Sequence, residues 1–375
     1  MTETGLTEIE LSATIQPTAL AVHLESAAAH HEPGAYRGVL SPVLLDAPER
    51  EIEALAQGAA AHDLGWLKRV AVHGEDRFRW LSGMVTNTVD DLEAHGGAWN
   101  LVLNAQGRVQ GDLMVWREGE ELEVDITANQ YEKLMAHLER FIIMDDVELI
   151  PLSGETAIGL TGSTADEVLE RLSMPTLAEP LTGTRVEWNG LDLRILRGYG
   201  VLAKHYEIWV PLAGLAKLWL GLRTAAATPV GTAAVEAFRI AEGIPEYGVD
   251  IVERDLAQET SQMRALHFSK GCYLGQEVVE RIRSRGNVHK HLRQLELFGP
   301  VPAGGTELHF EDGPKDGETA AGHITSAASL ALPTGSRVLA LGMIRGGAET
   351  RNQPLHYTAG TGKGTARILG AAPGV

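Results

Sequence analysis

Apolar residues between Lys68 and Phe141 alternate with polar ones in short runs, then recur three and four apart. The alternation predicts strands at Arg69–His73, Trp99–Leu103, Val109–Trp116 and Glu121–Thr127. Asn104-Ala105-Gln106-Gly107 turns between the second and third, and Arg117-Glu118-Gly119-Glu120 closes a hairpin between the third and fourth. Helical spacing places Phe78 and Leu81 on a helix ending at Met84. It also places Tyr131, Leu134, Leu138 and Phe141 on a helix over Gln130–Phe141. Pro48–His62 has the same spacing, with Ile52, Leu55 and Ala59 on one face. Further strands are expected at Val147–Pro151, Ala157–Thr161, Val186–Trp188, Leu191–Arg197 and Tyr206–Val210. Thr164-Ala165-Asp166-Glu167 reads as a capping box for a helix ending near Leu172. Two more helices are expected at Leu212–Leu222 and Thr232–Ala241.

Hairpins that feed helices make an α+β pattern, without the strict alternation of a doubly wound parallel sheet. The texture changes after His291. Gly, Pro and Thr become frequent, and short strands are expected at Arg293–Leu297, Glu307–Phe310, Gly322–Ser326 and Val338–Met343. That suits a small separate β-barrel or sandwich, with an exposed hairpin loop at Glu311–Glu318. Residues 1–35 read as a loose arm with one helix near Ala19–Ala29. A chain of 375 residues exceeds one ordinary core. The expected division is an arm over 1–35, a central α+β region over 36–291 and a barrel over 292–375.

Charge and cysteine content narrow the function classes. Acidic residues number 50 and basic ones 32, a net charge of −18. Such a field repels polyanions, which argues against broad nucleic-acid coating. The one cysteine, Cys272, has no internal disulfide partner and cannot build a cysteine-only metal site. No run approaches the ~20 apolar residues of a membrane span, and the acidic start does not read as a secretory or transit signal. The expected location is cytoplasmic.

The common catalytic signatures are absent: no GxGxxG after a strand, no GxxxxGK[ST], no GxSxG and no HExxH. The close histidine groups, His30-His31 and His289-Lys290-His291, lack acidic or cysteine neighbours, so no metal site is expected. The unusual segment is Lys270-Gly271-Cys272-Tyr273-Leu274-Gly275-Gln276-Glu277. Two glycines permit turns that other residues resist, and Gln276 and Glu277 would start a helix. Two readings of Cys272 stand side by side. Lys270 could favour its thiolate, or the thiol is a small buried residue under a tight loop.

That octapeptide resembles the KGCYxGQE signature of the YgfZ-type folate-binding proteins, a family related to the T-protein (aminomethyltransferase) of the glycine cleavage system. Weaker matches follow in order. Leu81–Leu92 (LSGMVTNTVDDL) resembles the family's "LQGxxTNDVxxL". Leu103–Arg108 with Asp112-Leu113 resembles "LNxxGRxxxDL". Ile158-Gly159-Leu160 and the helix after it resemble "IGLxGPxAxxxL". Ala241–Pro245 resembles "EAGIP" with its first two residues exchanged. Gly322–Ser326 and the strand around Leu341–Ile344 resemble the barrel's "GxITS…ALG". The resemblance runs from about residue 60 to 345.

It implies a three-domain, T-protein-like fold around a funnel that holds tetrahydrofolate or a one-carbon derivative. By the resemblance, Glu207 is the carboxylate that grips the pterin and Tyr199 a wall of its site. Asp112 falls where the T-protein has its catalytic aspartate, Asn129 on the last residue of a "NAAN" stretch, and Arg239 on an arginine before "EAG". Cys272 joins Asp112 as a candidate catalytic residue, with Lys270, Gly271, Tyr273, Gly275, Gln276 and Glu277 as the rest of the signature. Departures are visible: Ile126 stands at the first Asn of "NAAN", and "TND" reads Thr86-Asn87-Thr88.

The resemblance therefore implies a tetrahydrofolate-binding accessory protein in maturation or repair of iron–sulfur proteins, linked to tRNA modification. Iron–sulfur enzymes are the implied clients. The alternative is a folate-dependent aminomethyltransferase-like or demethylase enzyme. A basic run at Arg281, Arg283, Arg285, Lys290 and Arg293 leaves a third reading, an RNA-binding module, which the overall charge opposes.

Overall fold

A computed structural model describes residues 15–29, 31–286, 288–311, 320–332, 335–351 and 353–371. The α+β expectation holds: three large sheets carry most of the chain, and helices pack against each of them. The first sheet has six strands in the order Thr182–Trp188, Leu191–Arg197, Lys204–Pro211, Glu155–Gly162, Ala60–Asp63 and Thr228–Val230. The helices Ala19–Ser26, Ala165–Arg171 and Leu215–Thr224 bury Leu20, Leu169, Leu218 and Trp219 in a shared core with its Ile158, Ile195 and Ile208. The second sheet has five strands, in the order Gly97–Leu103, Val109–Glu118, Glu121–Thr127, Leu67–His73 and Glu148–Pro151. Trp80 and Leu81 of helix Arg77–Met84, and Leu134 and Leu138 of helix Ala128–Glu139, pack on it.

The third sheet lies after His289 and is nearly a closed barrel. Its order is Glu307–Leu308, Gly322–Leu332, Gly335–Arg345, Lys290–Phe298, Gly362–Ala371 and Leu355–Ala359. Reciprocal backbone bonds between His309 and His356 join its two edges. The barrel docks through buried Asp250, which accepts from Ser326 Oγ at 2.7 Å, Thr325 Oγ1 at 2.5 Å and Arg239 Nη1 at 2.7 Å. The GHITS segment thus anchors the barrel to the central region.

Three elements differ from the sequence reading. The helix expected over Pro48–His62 ends at Gln57, and Ala60–Asp63 is a buried strand pairing on both sides. An Ala-rich run carries no period strong enough to separate the two. Thr164 sits at the helix start, but its side chain makes no capping bond. The barrel has two further strands, Leu355–Ala359 and Gly362–Ala371, in a Gly- and Thr-rich stretch without alternation.

Residues 1–14 and 30 of the expected arm lie outside the described residues, as does most of the Glu311–Glu318 loop. What is described of 1–35 is packed: the helix near Ala19 buries Leu20, Ala21 and Leu24. Glu32–Tyr36 then pairs with Val39–Leu44 around Arg37 and Gly38, both at positive φ. That is the two-residue turn whose twist suits a hairpin. Among the described residues, no helix is long and apolar enough to cross a membrane.

Candidate functional site

The first two sheets face each other across a cavity of about 270 Å³. The tip of the Tyr36–Val39 hairpin, helix Thr232–Glu242 and the turn at Arg264 close its sides. Asp112, Tyr199, Glu207 and Arg239, four of the five residues expected to hold a cofactor, all line it.

Asp112 lies on strand Val109–Glu118 and is held from two directions. Trp99 Nε1 donates to its Oδ2 at 2.8 Å, and Gln130 Nε2 donates to its Oδ1 at 2.8 Å. Gln130 Oε1 also accepts from the Asp112 backbone N–H at 3.0 Å. Burial raises the Asp112 pKa despite these bonds. Glu207 lies on strand Lys204–Pro211 and is buried. Burial, then the neighbouring Asp125 carboxylate, pushes it up to about 7. Trp209 Nε1 donates a weak bond to its Oε2 at 3.4 Å, its one hydrogen bond among the described residues, so its acceptor capacity is largely unused.

Register explains why Glu207 has histidines around it. On the central strand, Gly159 is opposite both Glu207 and His62, and Thr161 is opposite His205. A side chain at Gly159 would meet the His62 ring at 2.1 Å, so glycine makes room for the imidazole. His62 Nε2 lies 2.9 Å from Thr161 Oγ1, which lies 2.7 Å from His205 Nδ1. The rings stack 5.8 Å apart, and His205 Nε2 is 4.0 Å from Glu207 Oε1. Burial lowers His62 to about 3 and His205 to about 4, so both imidazoles are neutral near pH 7. The sequence reading missed this set. The helical spacing over Pro48–His62 puts His62 at a helix end, and cross-strand neighbours leave no trace in linear spacing.

Below Glu207 lies a buried ion network between the sheets. Arg69 donates to both oxygens of Asp125 at 2.7 Å, and its guanidinium covers the Trp209 ring at 3.6 Å. Arg194 of the first sheet pairs with Glu123 of the second. Arg239 bonds Asp250, Glu236 and the Ile244 carbonyl. It is a buried structural ion pair in the cavity wall, not a surface salt bridge.

Asn129 departs from expectation. It is exposed, absent from the cavity lining and accepts from Thr127 Oγ1 at 2.6 Å. The helix starts at Ala128, two residues earlier than expected, and its first turn points Gln130 at Asp112 instead.

The octapeptide is outside the cavity lining. Lys270 Nζ donates to the carbonyls of Ser82, Val85 and Asn87. It thereby caps the end of helix Arg77–Met84, and burial lowers its pKa to about 8. The ammonium expected to activate Cys272 is occupied by those carbonyls. Cys272 is exposed, which removes the reading as a buried packing residue. Tyr273 is the buried member, in a cluster with Leu103, Tyr247 and Val279. Gly275 has φ +85°, and a side chain there would strike the Asn104 carbonyl at 2.6 Å. Its partner across that contact is the turn at Gly107, where a side chain would strike Val278. The octapeptide and the LNAQGR turn are two halves of one close approach. Gln276 and Glu277 start helix Gln276–Arg285 as expected. Gly271 has open space and no positive φ, so nothing in the fold demands glycine there. Cys272→Ser should therefore shift stability by no more than about 0.5 kcal/mol, measured by urea unfolding.

Folding neutralises only part of the basic run, and Arg281 and Arg285 stay exposed on helix Gln276–Arg285. Lys290 pairs with Asp255, Arg293 with Glu349 and Ser261, and Arg283 with Glu280. Among the described residues no group of His, Cys, Asp and Glu is arranged to hold a metal ion.

A family model described as the GCVT N-terminal domain matches residues 17–270. An Arabidopsis thaliana chloroplastic protein named as a transferase is 23% identical over 270 residues, which are 70% of this chain and 61% of that protein. The chain thus spans less than two thirds of that relative's length. The aminomethyltransferase of Rubrobacter xylanophilus is 29% identical over 288 residues, covering 72% of this chain and 76% of its own. The tRNA-modifying protein YgfZ of Yersinia pseudotuberculosis is 26% identical over 256 residues, covering 65% and 73%. The crystal structure of the glycine cleavage system aminomethyltransferase T from Bartonella henselae superposes with a TM-score of 0.83 at 18% identity, covering 96% of this chain and 98% of that one. That likeness is one of fold.

Proposed function

The chain belongs to the GCVT N-terminal domain family, and on that premise we propose that it binds tetrahydrofolate or a one-carbon derivative in the cavity between its first two sheets. One observation carries the proposal: two carboxyl groups, the buried Glu207 and the half-buried Asp112, face one cavity from opposite sheets. A reduced pterin offers paired N–H donors on one edge and a flat apolar face. Glu207 has acceptor capacity to spare, and Trp66, Phe238 and Tyr199 supply ring cover. His62 Nδ1 is buried without a hydrogen-bond partner, as expected of a lining that a polar ligand completes.

Bound tetrahydrofolate would supply the carrier atom for a one-carbon unit. The chain's own residues bind and orient. Glu207 grips the ring edge in its ionised form, and His205 beside it is neutral near pH 7. Trp99 and Gln130 hold both Asp112 oxygens in place.

In the cell, the proposed role is an accessory one in maturation or repair of iron–sulfur proteins that modify tRNA. The octapeptide, typical of the YgfZ branch, and the similarity to a tRNA-modifying protein support it. The proposed location is cytoplasmic. Loss of the gene should lower tRNA modification that depends on iron–sulfur enzymes, and the wild-type gene should restore it. Normal modification in the deletion strain would remove this role.

Asp112 favours a second reading, a folate-dependent transferase or demethylase, because a held, half-buried carboxyl beside the ligand suits proton handling. Asp112→Asn should leave the chain folded at a loss of about 1 kcal/mol, since an amide can accept only one of the two bonds. In a transferase it should abolish one-carbon transfer while tetrahydrofolate still binds. In an accessory protein, complementation should survive it.

A further inference from the structure

Three guanidinium groups line the cavity, and they differ in one respect. Arg37 Nε lies 3.4 Å from Glu246, and Arg239 is bonded to Glu236 and Asp250. Arg264 has no ion pair and no side-chain hydrogen bond among the described residues; its Nε and Nη1 are buried and unpartnered. Glu242, the acid in its field, is already engaged by the backbone N–H groups of Val201 and Leu202 at 2.8 and 2.9 Å. A half-buried cation with two buried, unpartnered donors and no counter-charge is costly and calls for an explanation.

The rings around Arg264 supply one. Its guanidinium carbon is 3.8 Å from the centre of the Tyr199 ring and 4.8 Å from that of Trp99. Trp99 is itself fixed by its bond to Asp112. The rings cover the cation and fix its plane but give it no acceptor. A planar fork held this way is preorganised for a carboxylate, which takes two parallel N–H bonds. Burial lowers the Arg264 pKa to about 10, which leaves it charged near pH 7 and short of a partner.

We propose that Arg264 is a carboxylate-binding subsite of the cavity, and that it takes a carboxylate of the glutamate tail of the folate ligand. The proposal rests on the folate reading. It adds that the cavity recognises the tail as well as the ring, and that Tyr199 and Trp99 serve as walls for the cation rather than only for the pterin.

The test uses the full chain and calorimetric titration with tetrahydrofolate, with 6-methyltetrahydropterin, which lacks the tail, and with p-aminobenzoylglutamate, which lacks the ring. Arg264→Gln should weaken tetrahydrofolate binding roughly tenfold or more and leave 6-methyltetrahydropterin unchanged, with Arg264→Lys in between. Equal losses for both ligands, or none, would overturn the subsite. If no pterin binds the wild type, the folate reading fails by itself. The subsite then stands only if p-aminobenzoylglutamate binds the wild type and not Arg264→Gln. A separate source of the carboxylate is tested by glycine added to the protein saturated with 6-methyltetrahydropterin. Arg264-dependent glycine binding there, without any tail preference, would contradict the assignment to the tail. The melting temperature of Arg264→Gln without ligand should be at or above the wild-type value, because removing an unpaired half-buried charge relieves the fold. A marked fall would assign Arg264 to structure instead.

Discussion

Asp125→Ala should destabilise the chain by about 3–5 kcal/mol, the usual cost of breaking a buried ion pair from one side. Asp125 takes both of the short Arg69 bonds, and both side chains are almost wholly inaccessible. Glu123 and Glu155 remain at 3.4 and 3.9 Å, too far and too poorly aligned to replace the bidentate contact. Arg69 would stay buried on the Trp209 ring with its charge uncompensated. The double variant Arg69→Met, Asp125→Leu should recover most of the loss, because the cost lies in the orphaned charge. Urea unfolding of the three proteins checks this. A loss as large in the double variant would place the stabilisation in the pair itself.

Glu207→Gln should weaken tetrahydrofolate binding by about 1.5–3 kcal/mol, the worth of charge-assisted bonds. The same substitution should not destabilise the free protein. Below about pH 4.5, both folded and unfolded chains carry Glu207 protonated. Between there and about pH 7 only the unfolded chain ionises it, so Glu207 lowers stability as pH rises. Above pH 7 the penalty is complete. Glu207→Gln should then be at least as stable as the wild type at about pH 8, while binding less ligand. Lower stability at that pH would mean that Glu207 is held by bonds that the fold itself supplies.

The sequence disclosed the site unevenly, for physical reasons. Glu207, Asp112, Tyr199 and Arg239 were named through the family resemblance, and the fold brings all four to one cavity. Asn129 lies outside the cavity lining while its neighbour Gln130 bonds Asp112, because on a helix one residue is a rotation of about 100°. His62, Thr161, His205 and Asp125 were not legible at all. Their proximity comes from strand register and from two sheets facing each other, which no local pattern encodes. Lys270 was read as a neighbour of Cys272, yet its four-carbon stem carries the ammonium to carbonyls more than 180 positions earlier. The same limit applies to the fold. Periodic helices such as Thr232–Glu242 were placed within a residue, while the barrel's Gly-rich last strands were missed.

The central claim is that the cavity holds tetrahydrofolate by an ionised Glu207. Its most direct measurement is calorimetric titration of the wild-type chain and Glu207→Gln with tetrahydrofolate at about pH 6 and about pH 8, either side of the raised Glu207 pKa. The wild type should bind one ligand per chain, more tightly at the higher pH, with proton release at the lower. Glu207→Gln should bind more weakly and lose that pH dependence. No binding by the wild type at either pH, or identical affinity and pH dependence in the two proteins, would contradict the claim.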